Sequence, residues 1–196
     1  MRSAAADDAA VIESSRREPE RFAVLFDRHA PHIYRYLARR AGHQAADDLV
    51  AETFLAAFAK RDRYDLSHAD ARPWLYGIAT NLVGQHRRDE VRQYRIRQAA
   101  AAEPEVPGHA DRVAADVTAQ AMRSLLYPAL AALPAGDRDV LLLIAWEQLT
   151  YEEVSRALAI PVGTVRSRLH RARTKVRQVL AGTDAAATYE EITANE

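Results

Sequence analysis

Several features that would mark an enzyme or an exported protein are missing from this sequence. It has no cysteine, which excludes disulfide bonds and thiolate metal sites. Its first residues lack the apolar core of a signal peptide, and no hydrophobic run approaches membrane-spanning length. Its seven histidines are scattered, and no glycine-rich phosphate loop or metal-ligand cluster occurs. We therefore expect a soluble cytoplasmic protein that is not an enzyme, does not insert into a membrane, and needs no metal or other cofactor.

Signals for β-strands are also almost absent. The apolar positions recur at helical spacings, and few turns of the hairpin type occur. With 196 residues, the chain has room for one or two domains. We predict an all-α fold of two small helical domains joined by a flexible linker. The expected divisions are a disordered tail (1–18), a first domain (19–97), a linker (98–119), a second domain (120–180) and an acidic tail (181–196).

Three helices are predicted in the first domain. Order should begin at Pro19, because proline suits the first turn of a helix. Pro31 should kink or divide this first helix, and Gly42 should close it. The second helix is expected over 44–60 and the third over 73–97. The apolar stripe of the first helix consists of Phe22, Leu25, Phe26, Ile33 and Leu37.

Residues 150–180 are typical of a helix-turn-helix. Thr150 and Glu153 have the spacing of a capping box, which predicts that a helix begins there and ends near Ala159. Residues 160–163 supply the turn, where Pro161 fixes φ and Gly163 tolerates backbone angles that other residues resist. A second helix should start near residue 164.

That second helix carries charge of one sign only. Residues 164–180 contain six Arg or Lys and no acid. A solvated charged face usually mixes signs, whereas a face of one sign repels itself unless a polyanion binds it. The pattern therefore predicts DNA binding by this helix. Its inward-facing apolar stripe should be Val165, Leu169, Ala172 and Val176.

Two surfaces of the first domain can also bind partners. The third helix combines aromatics with cations, an arrangement that suits single-stranded nucleic acid, although Trp74 is more typical of a core residue than of a stacking platform. Its polar and basic residues include Asn81, Gln85, Arg87, Arg88 and Arg92. The second helix carries acids beside apolar residues, which suits a basic protein partner or simply favours the helix dipole. These residues are Asp47, Asp48, Leu49, Val50, Glu52 and Phe54.

Three strings together resemble the extracytoplasmic-function (ECF) group of the sigma-70 family of bacterial RNA polymerase sigma factors. They are DDLVAETFLAAF (47–58), RPWLYGIATNLV (72–83) and LTYEEVSRALAIPVGTVRSRLHRAR (149–173). The resemblance extends roughly from residue 22 to residue 180. It implies promoter-specific transcription initiation with core RNA polymerase, contacted through the β′ clamp helices and the β subunit, and it adds an anti-sigma factor as a candidate partner.

The resemblance also implies roles for individual residues. Asp48, Leu49, Val50, Glu52 and Phe54 correspond to the clamp-docking helix, and the third helix to the element that captures the melted minus-ten strand. There, Asn81 matches a position that contacts a flipped base, with Arg87 and Arg88 near the backbone. The helix-turn-helix corresponds to the reader of the minus-thirty-five duplex. Its base-edge candidates are Arg166, Ser167, His170 and Arg171, with Pro161, Gly163 and Thr164 near phosphate.

Two other functions remain open at this point. A stand-alone helix-turn-helix regulator would bind duplex DNA without polymerase, usually as a dimer on symmetric half-sites. A protein-interaction module that binds polymerase but initiates nothing is a second alternative, which the basic helix disfavours.

Overall fold

The computed structural model describes residues 7–100, 126 and 128–180. Every regular element in this part of the chain is helical, which confirms the predicted all-α fold. Residues 101–119 of the predicted linker and the tail at 181–196 lie outside it. No helix among the described residues is long and apolar enough to cross a membrane. The α-helices whose bounds lie among the described residues are α1 (Asp8–Ser15), α2 (Ala23–Ala41), α3 (His43–Lys60), α4 (Arg72–Ala100), α5 (Ala135–Ala145), α6 (Tyr151–Leu158) and α7 (Val162–Leu180), with short 3-10 turns at Pro19–Phe22 and Arg61–Arg63. Residues 128–131 are also helical.

The prediction of disorder over residues 1–18 is wrong for the part that is described. Residues 8–15 form α1, whose N-terminus is capped by Asp7: its carboxylate accepts a hydrogen bond from the backbone N–H of Ala10 at 2.8 Å. Val11 and Ile12 of α1 are buried in the core. The acidic composition of the segment concealed this short apolar face, which gains its stability from the domain it covers.

Helix α2 continues through Pro31, which was expected to kink or divide it. Pro31 faces solvent, while Leu25 before it and Ile33 after it are completely buried. Because both halves pack on the same core, tertiary contacts compensate for the hydrogen bond that proline cannot make. Gly42 ends the helix as predicted, with a φ of 83° that favours glycine over other residues.

The helix-turn-helix is confirmed, with one change in its turn. Both hydrogen bonds of the Thr150–Glu153 capping box are present, and the four residues of the predicted apolar stripe are buried. The left-handed residue of the turn is Ala159, with a φ of 51°, and not Gly163. Gly163 lies inside the first turn of α7, where an ordinary helical backbone suffices.

The two predicted domains contact each other directly. We call residues 8–100 the first unit and residues 128–180 the second unit. Helix α4 of the first unit packs on α6 and touches α5, and buried side chains of both units form one continuous apolar core. The close approach occurs at Gly77, which faces the backbone of Ala157. Sequence reasoning did not predict this contact.

Candidate nucleic-acid and partner interfaces

The predicted duplex-reading face of α7 lies on one side of the second unit. Six of its seven residues are exposed, and Thr164 is half-buried where its N–H donates to the carbonyl of Pro161 at 2.8 Å. The burial of the opposite stripe, which includes Val165 and Leu169, fixes this orientation. The exposed members are Pro161, Gly163, Arg166, Ser167, His170 and Arg171.

Arg171 has a partner within the second unit that the sequence did not reveal. Its Nε and Nη2 atoms donate to the two carboxylate oxygens of Asp137 on α5, at 3.1 and 2.9 Å. Asp137 is buried, so the pair joins α5 to α7 and occupies two donor atoms of an exposed guanidinium. This bidentate contact competes with the base-edge role expected for Arg171.

The predicted minus-ten residues line a groove of about 1070 Å³ between the two units. One wall is α4, where Asn81 and Gln85 are exposed. The other wall includes Arg138 and Asp139 of α5. Arg88 and Arg92 are exposed along the same groove, and Arg92 also pairs with Asp89 at 3.0 Å. The groove is therefore open, wide and mainly basic.

Arg87, the remaining member of that set, is half-buried and points toward the second unit. Its Nη2 donates to the backbone carbonyl of Arg40. The side chain of Arg40 is only 2% exposed, and its Nη2 lies 2.6 Å from Asp139 of α5. Its Nη1 donates to the hydroxyl of Tyr36 at 2.6 Å. A buried ion pair thus crosses the boundary between the units.

A second polar contact between the units involves Glu147, which follows α5. Its carboxylate accepts a hydrogen bond from the hydroxyl of Tyr76, and its backbone carbonyl accepts one from Arg72 at 2.9 Å. Burial raises the pKa of Tyr76, and the hydrogen bond and charge of Glu147 raise it further. The phenol therefore remains a neutral donor in this contact.

The predicted polymerase-docking residues divide into two groups. Asp48 and Glu52 are exposed on α3, whereas Leu49, Val50 and Phe54 are buried in the core of the first unit. Against the expectation of direct contact, the three apolar side chains are covered in this form, which leaves Asp48 and Glu52 as the exposed part of the predicted docking face. Their stripe spacing on α3 was as consistent with a core as with docking.

Apolar side chains other than Leu49, Val50 and Phe54 are exposed on this surface. Leu55 is 68% exposed beside the acids of α3, and Phe26 of α2 is 44% exposed although it was expected in the apolar stripe. The ring of Phe26 meets that of Phe54 edge to face, with 4.9 Å between centroids. A signal existed in the sequence, since Leu55 falls three residues after Glu52 and seven after Asp48, on the same face of α3.

The aromatic residues at the start of α4 belong to the core. Trp74 is half-buried with its ring centroid 4.9 Å from that of Tyr64, and Tyr76 is completely buried. The position of Trp74 therefore agrees with a role in the core and not with a platform on which bases stack. Within the described residues, no cluster of three or more His, Asp or Glu could hold a metal ion.

Two family models match the chain. The model described as Sigma-70 region 2 matches residues 25–93, and the model described as Sigma-70, region 4 matches residues 123–176. The first match covers α2, α3 and most of α4, and the second covers the helix-turn-helix and its support. The two units thus correspond to two separate regions of one family.

Curated relatives support the same assignment. The chain is 36% identical over 169 residues to the ECF RNA polymerase sigma factor SigE of Mycolicibacterium smegmatis, a match that covers 80% of this chain and 60% of that protein. It is 34% identical to the RNA polymerase sigma factor CarQ of Myxococcus xanthus, covering 81% of this chain and 88% of CarQ. It is 31% identical to the ECF sigma factor SigL of Mycobacterium tuberculosis, covering 88% of this chain and 96% of SigL.

Solved structures share the fold. The sigma factor RpoE of Bartonella quintana, crystallised with the anti-sigma factor NepR, aligns with a TM-score of 0.59 at 24% identity, covering 82% of this chain and 96% of that one. CnrH, solved with the cytosolic domain of CnrY, aligns with a TM-score of 0.63 at 23% identity, covering 90% and 99%. A stand-alone helix-turn-helix regulator finds no support among these matches. With two region models and three RNA polymerase sigma factors matched, the chain belongs to the ECF group of the sigma-70 family.

Proposed function

We propose that this chain binds core RNA polymerase and directs it to promoters by reading a minus-ten and a minus-thirty-five element. The observation that carries the proposal is the arrangement of α7. Its buried apolar stripe forces an acid-free, cationic face outward, next to the turn of a helix-turn-helix. The same chain has a region 2 match, which a simple duplex-binding regulator does not need.

The second unit would read the minus-thirty-five duplex. Arg166, Ser167 and His170 are exposed and can reach base edges in the major groove. Pro161, Gly163 and Thr164 lie around the N-terminus of α7, whose positive dipole end favours phosphate. Of the three, Gly163 can offer a backbone N–H, because proline has none and that of Thr164 donates to the carbonyl of Pro161. We assign Arg171 a positioning role through Asp137, because its hydrogen-bonding fork is already occupied.

The first unit would capture the minus-ten strand on α4. Asn81 and Gln85 present amide groups to the groove, and amides can hydrogen-bond the edge of an unpaired base. Arg88 and Arg92 are exposed along the same wall and can neutralise backbone phosphates. Arg87 becomes available when its hydrogen bond to Arg40 is released.

Docking on the polymerase β′ clamp helices would use the exposed face of α3. Asp48 and Glu52 supply negative charge, and Leu55 supplies an exposed apolar contact beside them. Apolar side chains rimmed by charge are typical of protein interfaces. The buried residues Leu49, Val50 and Phe54 would hold this face in position from beneath. We assign the contact with the β subunit, which the family resemblance implies, to the second unit.

Promoter binding requires the two units to separate. Elements centred near minus ten and minus thirty-five are about 25 base pairs apart, which is about 85 Å of duplex at 3.4 Å per pair. A compact chain of this length has a radius of gyration of about 16 Å. Since α4 and α6 are in contact here, they cannot serve both elements in this arrangement. We infer that this is a closed form which opens on polymerase.

This role requires no catalytic site or cofactor in the chain, because the polymerase carries out the chemistry. It places the protein in the cytoplasm, with the polymerase and the promoter. An anti-sigma factor that covers these surfaces is a further candidate partner.

Reconstitution with core RNA polymerase tests the proposal. Purified core and full-length chain are mixed, complex formation is measured, and run-off transcription on genomic DNA is mapped. We expect new start sites that core alone does not use. Asp48→Arg should weaken core association, whereas Glu20→Arg, at an exposed acid outside the docking face, should not. Tight duplex binding without polymerase association would count for the stand-alone regulator instead.

A further inference from the structure

A small cavity at the boundary between the units is surrounded by guanidinium groups. Its volume is about 90 Å³, and it lies beside the wide groove, with which it shares three arginines. We call Arg39, Arg40, Arg87 and Arg138 the boundary arginines. Apolar side chains close the remaining walls, namely Leu130, Ala131, Leu142 and Trp146.

The boundary arginines have few partners in the described part of the chain. Arg40 donates through Nη1 to Tyr36 and forms an ion pair through Nη2 with Asp139, but its Nε is buried without a hydrogen-bond partner there. The same is true of the Nε of Arg138. Arg87 uses one Nη atom on the carbonyl of Arg40, and Arg39 lies over the ring of Trp146, 5.4 Å from its centroid. Donor capacity therefore remains at the cavity.

The charge around the cavity is not balanced. Four arginines line it, and the carboxylate that contacts them among the described residues is that of Asp139, so the local sum is +3. Glu90, one turn after Arg87 on α4, also acts on the charge of Arg87, but it is exposed to solvent and does not line the cavity. Arginine cannot shed its proton to relieve such a site, so an anion must supply the missing charge.

The pKa directions agree with this excess of positive charge. Burial lowers the pKa of Arg87, and the neighbouring charges of Arg138 and Arg40 lower it further. Burial also lowers the pKa of Arg138, with Arg40 adding to the effect. Two guanidinium groups thus destabilise each other across the boundary between the units in the absence of a bound anion.

We propose that this cavity binds a phosphate group, held by Arg40 and Arg87 of the first unit and Arg138 of the second. The planar fork of arginine matches the oxygens of a phosphate, and a charge-assisted hydrogen bond is about twice as strong as a neutral one. The cavity has about three times the volume that one water occupies in the liquid, which accommodates a single tetrahedral oxyanion.

The adjoining groove extends the ligand class to small phosphorylated molecules. Arg40, Arg87 and Arg138 line both spaces, so a phosphate in the cavity can carry a larger group that lies in the groove. Because the site takes arginines from both units, a bound phosphate favours their contact. Any ligand that needs the units apart then opposes phosphate binding to the same extent, by reciprocity of linked equilibria.

A DNA phosphate and a free phosphate are the two possible sources, and the geometry favours the free one. Promoter binding in the proposed function separates the units, which removes Arg138 from Arg40 and Arg87. This choice of source rests on the proposed function, whereas phosphate binding itself does not.

Titration of the full chain with inorganic phosphate tests the site. Isothermal calorimetry at constant ionic strength, balanced with sodium chloride, should show saturable binding of one phosphate per chain. Arg138→Met should weaken phosphate binding at least about tenfold, because it removes a charge-assisted hydrogen bond to the phosphate. The matched control is Arg63→Met, at an exposed arginine that lines neither the cavity nor the groove, which should bind phosphate as wild type does. Absence of saturation, or equal affinity in Arg138→Met, overturns the proposal.

Two further measurements test this interpretation. Arg138→Lys keeps the charge but loses the fork, so it should fold normally and still bind phosphate more weakly than wild type. A single-stranded oligonucleotide should bind with no dependence on Arg138. If its affinity falls with Arg138→Met as much as that of phosphate, the site belongs to DNA and the proposal fails. Run-off transcription, measured separately, reports on the proposed function alone.

Discussion

Gly77 of α4 lies against the backbone carbonyl of Ala157 in α6, so closely that a Cβ at position 77 would stand 2.2 Å from that oxygen. The obstacle is backbone, which cannot rotate away as a side chain can. The absence of a side chain at Gly77 is therefore a condition for contact between the two units. It also offers a way to disrupt that contact without altering any charged residue.

We predict that Gly77→Ala separates the units. The clash should cost the contact about 1 to 3 kcal/mol, the usual penalty for overpacking. Small-angle scattering should report a larger radius of gyration. Gly84→Ala on the same helix is the matched control, because its Cβ would meet only the flexible end of Arg88 at 3.8 Å. A Gly77→Ala protein as compact as wild type would show that the contact tolerates a shift.

Opening should also affect polymerase binding. If the closed form must be disrupted before core RNA polymerase is engaged, Gly77→Ala removes part of that cost and should raise core affinity. Gly84→Ala should bind core as wild type does. An unchanged core affinity in an expanded Gly77→Ala protein would show that closure does not limit assembly.

The local structure of this chain was largely predictable from its sequence. The capping box at Thr150 and Glu153, the buried stripe of α7 and the terminating Gly42 each follow from short-range rules that tertiary contacts here reinforce. The errors have a common origin. Pro31 and α1 both depend on packing against the core, which a linear pattern does not report.

The sites were less predictable than the helices. Periodicity correctly separated the two faces of α7, because its outer face has charge of one sign. It failed on α3, where apolar residues occur on both faces and Leu49 could not be distinguished from Leu55. The pairing of Arg171 with Asp137 and of Arg40 with Asp139 joins residues far apart in sequence, and no local pattern indicates such partners.

The docking face of α3 gives a prediction that distinguishes a residue contacting the polymerase from a residue of the protein core. Leu55→Ser should weaken core RNA polymerase binding with little change in unfolding free energy, since Leu55 is 68% exposed. Phe54→Ala should instead lower the unfolding free energy by about 3 to 5 kcal/mol, because it empties a buried aromatic site. Chemical denaturation and a core-binding titration measure the two effects. Wild-type affinity in Leu55→Ser would remove that residue from the docking face.

The duplex-reading face of α7 gives a prediction about which arginine contacts a base. Arg166 is exposed on α7, and Arg166→Ala should weaken minus-thirty-five duplex binding about tenfold, as expected for a lost base contact. Arg171→Ala should weaken duplex binding less but lower the melting temperature, since buried Asp137 loses its bidentate partner. Adding Asp137→Asn to Arg171→Ala should recover part of that loss. Equal losses of duplex affinity in the two single variants would restore Arg171 as a base reader.

Asp8 at the start of α1 connects three parts of the first unit. Its carboxylate accepts hydrogen bonds from Nε2 of His29 at 2.8 Å, from the backbone N–H of Ala71 at 3.0 Å and from Nη1 of Arg28 at 3.0 Å. Burial raises the pKa of Asp8. The hydrogen bonds from His29, Ala71 and Arg28 outweigh the effect of burial, so the pKa falls to about 2.

This shift predicts a loss of stability in acid. The folded-state pKa of Asp8 lies below its ordinary value of 3.8, so the stabilisation is fully present above that value and is lost as pH falls toward about 2. The difference amounts to about 2 kcal/mol by linkage. Asp8→Asn should therefore be less stable than wild type by about this amount at pH 6, and this gap in unfolding free energy should narrow by pH 3.

Urea denaturation at the two pH values measures the gap in unfolding free energy. The control is Glu13→Gln, at an exposed acid of α1, which should change stability by less than about 0.5 kcal/mol. A gap of constant size from pH 6 to pH 3 would mean that the charge of Asp8 does not stabilise α1 against the first unit.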